Sequence, residues 1–236
     1  MNKRILLAWA LLSAATATQA QVRLSVGPQV GYTLATANYQ HHNIAFDNGY
    51  RSGFSGGLTA ELGVGHLLVR PAVLYTQKGY NQTFVGAPVF NYPSVSHTNR
   101  TRIDYLTVPL SIGYAQHADG QGLQVFGGAY VGFVLGGHYA NEWAYSSPTS
   151  PTRYELYDGR VVADGKSFVG NDLSVRSPDF GLQAGLGYRY QRLLAQAEFS
   201  LGLRNAEPDR ITVDALPTYH NRVFQLSLAY LFGLKS

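Results

Sequence analysis

The 236-residue chain has no cysteine. This excludes a disulfide framework, a thiolate metal site, a cysteine nucleophile and a lipid anchor on an N-terminal cysteine. Charge is scarce too. Asp, Glu, Lys and Arg make up 14% of the residues, against about 25% in soluble domains. The 18 basic residues are scattered rather than clustered, so the sequence offers no electrostatic footprint for nucleic acid, and none is expected as a partner. Beyond the first 20 residues no apolar run reaches the roughly 18 residues of a membrane-spanning helix.

What the chain does contain is 26 Gly, 17 Tyr and 11 Phe, a composition suited to an all-β protein with an aromatic surface. Residues 1–20 read as a secretory signal, with a basic start at Lys3 and Arg4, an apolar stretch Ile5–Ala15 and a small-residue cleavage site at Thr18-Gln19-Ala20. Cleavage there would leave a single domain over residues 21–236.

The stretch Ser177–Asn205 is the template for the rest. Phe180, Leu182, Ala184, Leu186, Tyr188 and Tyr190 alternate with Asp179, Gly181, Gln183, Gly185, Gly187 and Arg189. After Gln191-Arg192, Leu193, Ala195, Ala197, Phe199, Leu201 and Leu203 alternate with Leu194, Gln196, Glu198, Ser200, Gly202 and Arg204. Period-two alternation places each set on its own face of a sheet. Each run is long enough to cross a bilayer, which takes about 9–11 tilted residues.

Eight such strands are expected: Val22–Leu34, Arg51–Val64, Leu67–Tyr80, Arg102–Tyr114, Leu123–His138, Asp179–Tyr190, Leu193–Arg204 and Arg222–Phe232. Their connections alternate between long and short, beginning with long. Ala35–Tyr50, Asn81–Thr101, Tyr139–Pro178 and Asn205–Asn221 are long; Gly65-His66, Ala115–Gly122 and Gln191-Arg192 are turns. Short turns at one end and long loops at the other characterise an outer-membrane barrel. The fold expected is therefore all-β: an eight-stranded antiparallel up-and-down transmembrane β-barrel, behind a cleaved signal peptide and located in the outer membrane.

The polar face is mostly Gly, Ser, Thr and Gln, which suits the narrow interior of eight strands. Arg23, Gln29, Glu61, Arg70, Tyr130, Gln183, Arg189, Gln196, Glu198 and Gln225 are the candidate polar network of the lumen. With Gly65-His66 as a two-residue turn, Glu61 falls opposite Arg70. Glu198 falls opposite Gly185 and is expected to reach an arginine, because buried charge is costly unless paired. Leu182, Leu186, Phe199, Leu201, Leu226 and Leu228 are expected to face lipid, with tyrosines at the ends of the apolar face.

Other features carry no clear chemistry. GLGYRY at Gly185–Tyr190 and GQGLQVFGG at Gly120–Gly128 lack the helix that completes a phosphate loop. His41-His42, His97, His138 and His220 lack metal-ligand spacing. Asp104, Asp179, His97 and His220 lie near the rim without the context of a nucleophile. No catalytic, metal or cofactor-binding residue is expected.

Six pieces carry a family resemblance: LYTQKGY at Leu74–Tyr80, IDYLTVPLSIGY at Ile103–Tyr114, FGGAYVGFVLGG at Phe126–Gly137, DFGLQAGLGYRY at Asp179–Tyr190, FSLGLRN at Phe199–Asn205 and NRVFQLSLAYLF at Asn221–Phe232. Together they resemble the PorT-like outer-membrane β-barrel family of Gram-negative bacteria. Where that family often has an acidic residue in the third strand, this chain has Ala72, with Glu61 on the neighbouring strand as its substitute. The resemblance implies an eight-stranded barrel but not one activity, since some relatives serve protein secretion and gliding. Three readings stay open: a structural or accessory component with protein partners in the envelope, a surface-binding barrel acting through its loops, and a narrow channel. In all three the common partner is outer-membrane lipid.

Overall fold

A computed structural model describes residues 22–40, 47–86, 94–147, 150–163, 172–206 and 218–234. The expected signal segment and the pair His41-His42 lie outside the described residues. The strands are β1 (Val22–Gln40), β2 (Asp47–Gly49), β3 (Arg51–Val64), β4 (Leu67–Gly86), β5 (Ser94–Ala115), β6 (Gly122–Ser147), β7 (Ser150–Val162), β8 (Leu173–Ser174), β9 (Asp179–Tyr190), β10 (Leu193–Gly202), β11 (Thr218–Tyr230) and β12 (Phe232–Leu234).

Eight of them close a ring. Each of β1, β3, β4, β5, β6, β9, β10 and β11 is hydrogen-bonded antiparallel to the next, and β11 returns to β1 through pairs such as Val30 with Leu228. Closure removes the free edges that an open sheet of this length would expose. The tight turns at Gly65-His66 and Gln191-Arg192 and the turn at 116–121 all lie at one end.

The two faces separate as the alternation dictates. Leu182, Leu186, Phe199, Leu201, Leu226 and Leu228 are all exposed on the outside, with Val30, Leu58, Leu110 and Ile112. Ser25, Gln29, Thr59, Ser111, Gln124, Gln183 and Ser227 are buried on the inside. The polarity of a soluble domain is thus inverted, as a barrel with a lipid-facing wall requires. Aromatic rings mark the ends of the apolar belt. At the turn end, Tyr230 packs edge-on to Phe232 and Tyr114 stacks on His66. At the other end, Phe54 packs on Tyr75.

The structure corrects the sequence reading at the end with the long connections. Asn81–Thr101 and Tyr139–Pro178 are not plain loops. β4 continues to Gly86, β5 begins at Ser94, β6 runs 26 residues to Ser147, and β7 adds 13 residues that pair with β6. The reason is physical. Above the belt neither face meets lipid, so the apolar–polar alternation stops and the sequence resembles loop, while the backbone ladder carries on. β4, β5, β6 and β7 therefore rise beyond the ring as a tall sheet, whereas β10 stops after 10 residues.

Candidate functional site

Inward side chains fill the lumen in tiers. In the tier nearest the tight turns, Thr59 pairs with Ala72 and Leu62 with Val69, which sets Glu61 across from Arg70. Arg70 Nη2 donates to Glu61 Oε2 at 2.5 Å and to Gln124 Oε1 at 2.5 Å. Arg189 donates to the other Glu61 oxygen and to Ser25 Oγ. One buried carboxylate thus bridges two guanidinium groups from different walls. Charge buried in this way is tolerable only when paired and hydrogen-bonded. Arg23 closes this tier, donating to the carbonyl of Gly65 in the turn.

The middle tier is neutral apart from Glu198. Gln29 donates to Ser227 and Gln183 to Ser111, while Gln196 and Gln225 are buried nearby. Glu198 accepts from Ser200 Oγ at 3.3 Å, and no ion pair engages it among the described residues. The expectation that it would reach an arginine is therefore corrected: Glu61 already holds Arg70 and Arg189. Aromatic rings take up the remaining space. A Cβ on Gly185 would stand 2.7 Å from the Phe126 ring, and one on Gly181 would stand 2.3 Å from Tyr130. These two glycines are where the inward aromatics of β6 fit against β9.

The third tier contains the residues sequence reasoning missed. Lys78 Nζ lies 3.0 Å from Asp179 Oδ2, both side chains essentially inaccessible. The same oxygen accepts from Tyr130 at 3.1 Å and from Asn221 at 2.9 Å. The ammonium sits over the Tyr130 ring at 4.2 Å and the Tyr105 ring at 4.7 Å, so cation–π attraction adds to the ion pair. The available signal was that Lys78 and Asp179 both lie on polar faces. Strand register could not join them, since they meet across the lumen.

Above this tier the lumen is closed by apolar groups. Ala37, Ile103, Tyr105, Val134, Val161, Val175, Ala206 and Tyr219 form one buried cluster. The strap 172–178 crosses here. Val175 N–H donates to Val162 C=O, Arg176 N–H to Ala206 C=O, and Val134 N–H to Ser177 Oγ. The cavity left under the strap is about 20 Å³, room for a single water.

The rim residues weighed for catalysis are dispersed. Asp179 is committed to Lys78, and Asp104 accepts from Gln77 and faces Arg102. His97 stacks on Trp143 at 4.0 Å. Among the described residues no hydrogen bond joins a histidine to a carboxylate.

On the outside of the tall sheet the register draws a row of cations. Gly79 pairs with Arg102, Arg102 with His138, and His138 with Arg160. Higher on the sheet Tyr154, Leu156 and Tyr157 are exposed.

The family model for the outer membrane protein beta-barrel domain matches residues 16–207. No curated protein matches the chain. Among solved structures, the neisserial surface protein A is similar at 14% identity, covering 88% of this chain and 97% of that one with a TM-score of 0.40. The Ail protein of Yersinia pestis, solved with the heparin analogue sucrose octasulfate, is similar at 9% identity, covering 89% and 99% with a TM-score of 0.38. These likenesses are low, and membership rests on the family match, which spans most of the chain. The chain belongs to the outer membrane protein beta-barrel domain family and is an outer-membrane β-barrel protein.

Proposed function

We propose that this chain is a non-enzymatic barrel that anchors an external β-sheet, and that the sheet rather than the lumen meets a protein partner. On this reading residues 1–20 are a signal peptide removed on export, and the long connections face outward, as is usual for such barrels. The six sequence pieces quoted above resemble the PorT-like branch of the family, and the reading takes that resemblance as its guide.

The observation that carries the reading is the contrast in strand length around one ring: 26 residues in β6 and 10 in β10. The extra length is greatest in β5 and β6, with β1 and β4 shorter at 19 and 20 residues, and it exceeds what crossing the bilayer requires. Eight strands leave an interior just wide enough for side chains, and here ion pairs and an apolar cluster occupy it. That argues against the channel reading. Surface binding and an accessory role in an envelope complex share this design. The exposed Tyr154, Leu156 and Tyr157 favour binding at the outer surface, since large apolar and aromatic groups kept in water mark interaction sites.

The test is a photo-crosslinking residue placed at Tyr154 and, separately, at Asp119 in the turn 116–121, irradiated in intact cells. A discrete protein adduct at Tyr154 and none at Asp119 is expected. Adducts at Asp119 alone would contradict the proposal.

A further inference from the structure

We infer that the row formed by Arg51, Arg102, His138 and Arg160 binds the phosphate group of an outer-leaflet glycolipid. The inference rests on the outward orientation of the long connections given above.

Register brings the row together. Arg102, His138 and Arg160 are consecutive cross-strand partners on β5, β6 and β7. Directly opposed residues have Cβ atoms about 4.5–5.5 Å apart, so three cationic or cation-capable groups lie side by side. Arg51 joins from β3 across Gly79, the residue that pairs with Arg102. Arg51 Cδ stands 3.1 Å from where a Cβ at position 79 would be, and Gly79 has φ +140°. A side chain there would fit neither the backbone nor the arginine lying over it.

The cations are under-neutralised. Asp104 stands 3.4 Å from Arg102 Nε and also accepts from Gln77; Asp158, two residues from Arg160 on the same face of β7, makes no ion pair with the row among the described residues. Arg51 feels both Arg102, as a like charge, and Asp104. Among the described residues no hydrogen bond or ion pair engages Arg51, His138 or Arg160. Holding like charges this close without counter-charge is unfavourable unless an anion completes the group. Guanidinium forks suit phosphate oxygens.

Height selects the anion. Leu106 and Phe133 are exposed partners in the apolar belt below. Arg102 is four residues further along β5, about 13 Å of strand. The row therefore sits where hydrocarbon gives way to headgroups, and the phosphate within reach is one held on a lipid.

The test uses native mass spectrometry of the full protein in detergent, with diphosphoryl lipid A and its dephosphorylated form as probes. Working in detergent makes the result independent of orientation in the cell, which surface labelling of a tag near Ser150 reports separately. Wild type should retain the phosphorylated form about tenfold or more over the other, the size of one charge-assisted hydrogen bond. Arg102→Gln with Arg160→Gln should abolish the preference, while Asp104→Asn should strengthen it. All variants should keep the heat-dependent gel shift of a folded barrel. Equal retention of the two lipids, an unchanged preference in the double variant, or displacement by inorganic phosphate at lipid concentrations would overturn the inference.

Discussion

Lys78 and Asp179 are 101 residues apart in the chain and 3.0 Å apart in the lumen. The pair ties β4 to β9 through the interior, without any ladder between those strands. With Tyr130 and Asn221 on the same carboxylate oxygen, it fixes four walls of the barrel to one point.

Removing either partner leaves a buried charge alone. Lys78→Met or Asp179→Asn should each cost about 3–5 kcal/mol, and the double replacement less than the two combined. Urea unfolding in detergent micelles measures this. Additive losses would mean that the two groups do not interact.

Outward leucines should tolerate charge according to depth. Leu228, flanked by Val30 and Ala195, lies within the belt, so Leu228→Arg should destabilise by about 2–4 kcal/mol. Leu201 pairs with Arg222, already at the interface, so Leu201→Arg should cost about 0–1 kcal/mol. Equal effects on reversible folding into lipid vesicles would contradict this placement of the belt.

Gly181 and Gly185 provide a third check. Gly181→Ala would drive a methyl into the Tyr130 ring and the Leu201 carbonyl, and Gly185→Ala into Phe126 and the Ala197 carbonyl. Overpacking of this kind costs about 1–3 kcal/mol. The partner replacement Tyr130→Ser should recover part of the loss at 181 and none at 185.

Trp9 and Trp143 are the two tryptophans, and Trp9 falls in the expected signal. Trp143 thus reports alone on the external sheet, where it stacks on His97. Burial lowers the His97 pKa below its ordinary value, partly offset by the neighbouring Asn141 side chain. An opened sheet therefore takes up the proton more readily. The contact is at full strength above pH 6.5 and weakens as pH falls through the lowered value. Trp143 fluorescence should be constant above pH 6.5 and change below it, with His97→Gln removing the change. A midpoint above 6.5 would contradict the packing.

Much of this architecture was legible residue by residue. The alternation in Phe180–Tyr190 shows which side chains point outward and which into the lumen, because each face has a different surrounding. Glu61 opposite Arg70 follows from a two-residue turn at Gly65-His66, which leaves the register no freedom. Contacts across the lumen were not legible. Lys78 with Asp179, and Arg189 with Glu61, depend on closure and tilt of the ring, to which no local pattern refers. Glu198 shows the same limit: its charge signalled a need for a partner, but not that Glu61 had taken Arg70 and Arg189 while Arg23 bonds the Gly65 carbonyl. β7 was hidden because Pro151 and the serines around it resemble a loop, and because above the belt no solvent difference imposes alternation.

The central claim is that the lumen is closed, so that the protein works from its external sheet. Planar-bilayer recording of the purified wild-type protein tests this most directly. No steady conductance is expected from wild type, and small conductance events are expected only once Glu61→Ala is combined with Tyr105→Ala, which opens both the ion-paired tier and the apolar closure. A steady, reproducible ion current through the wild-type protein would contradict it.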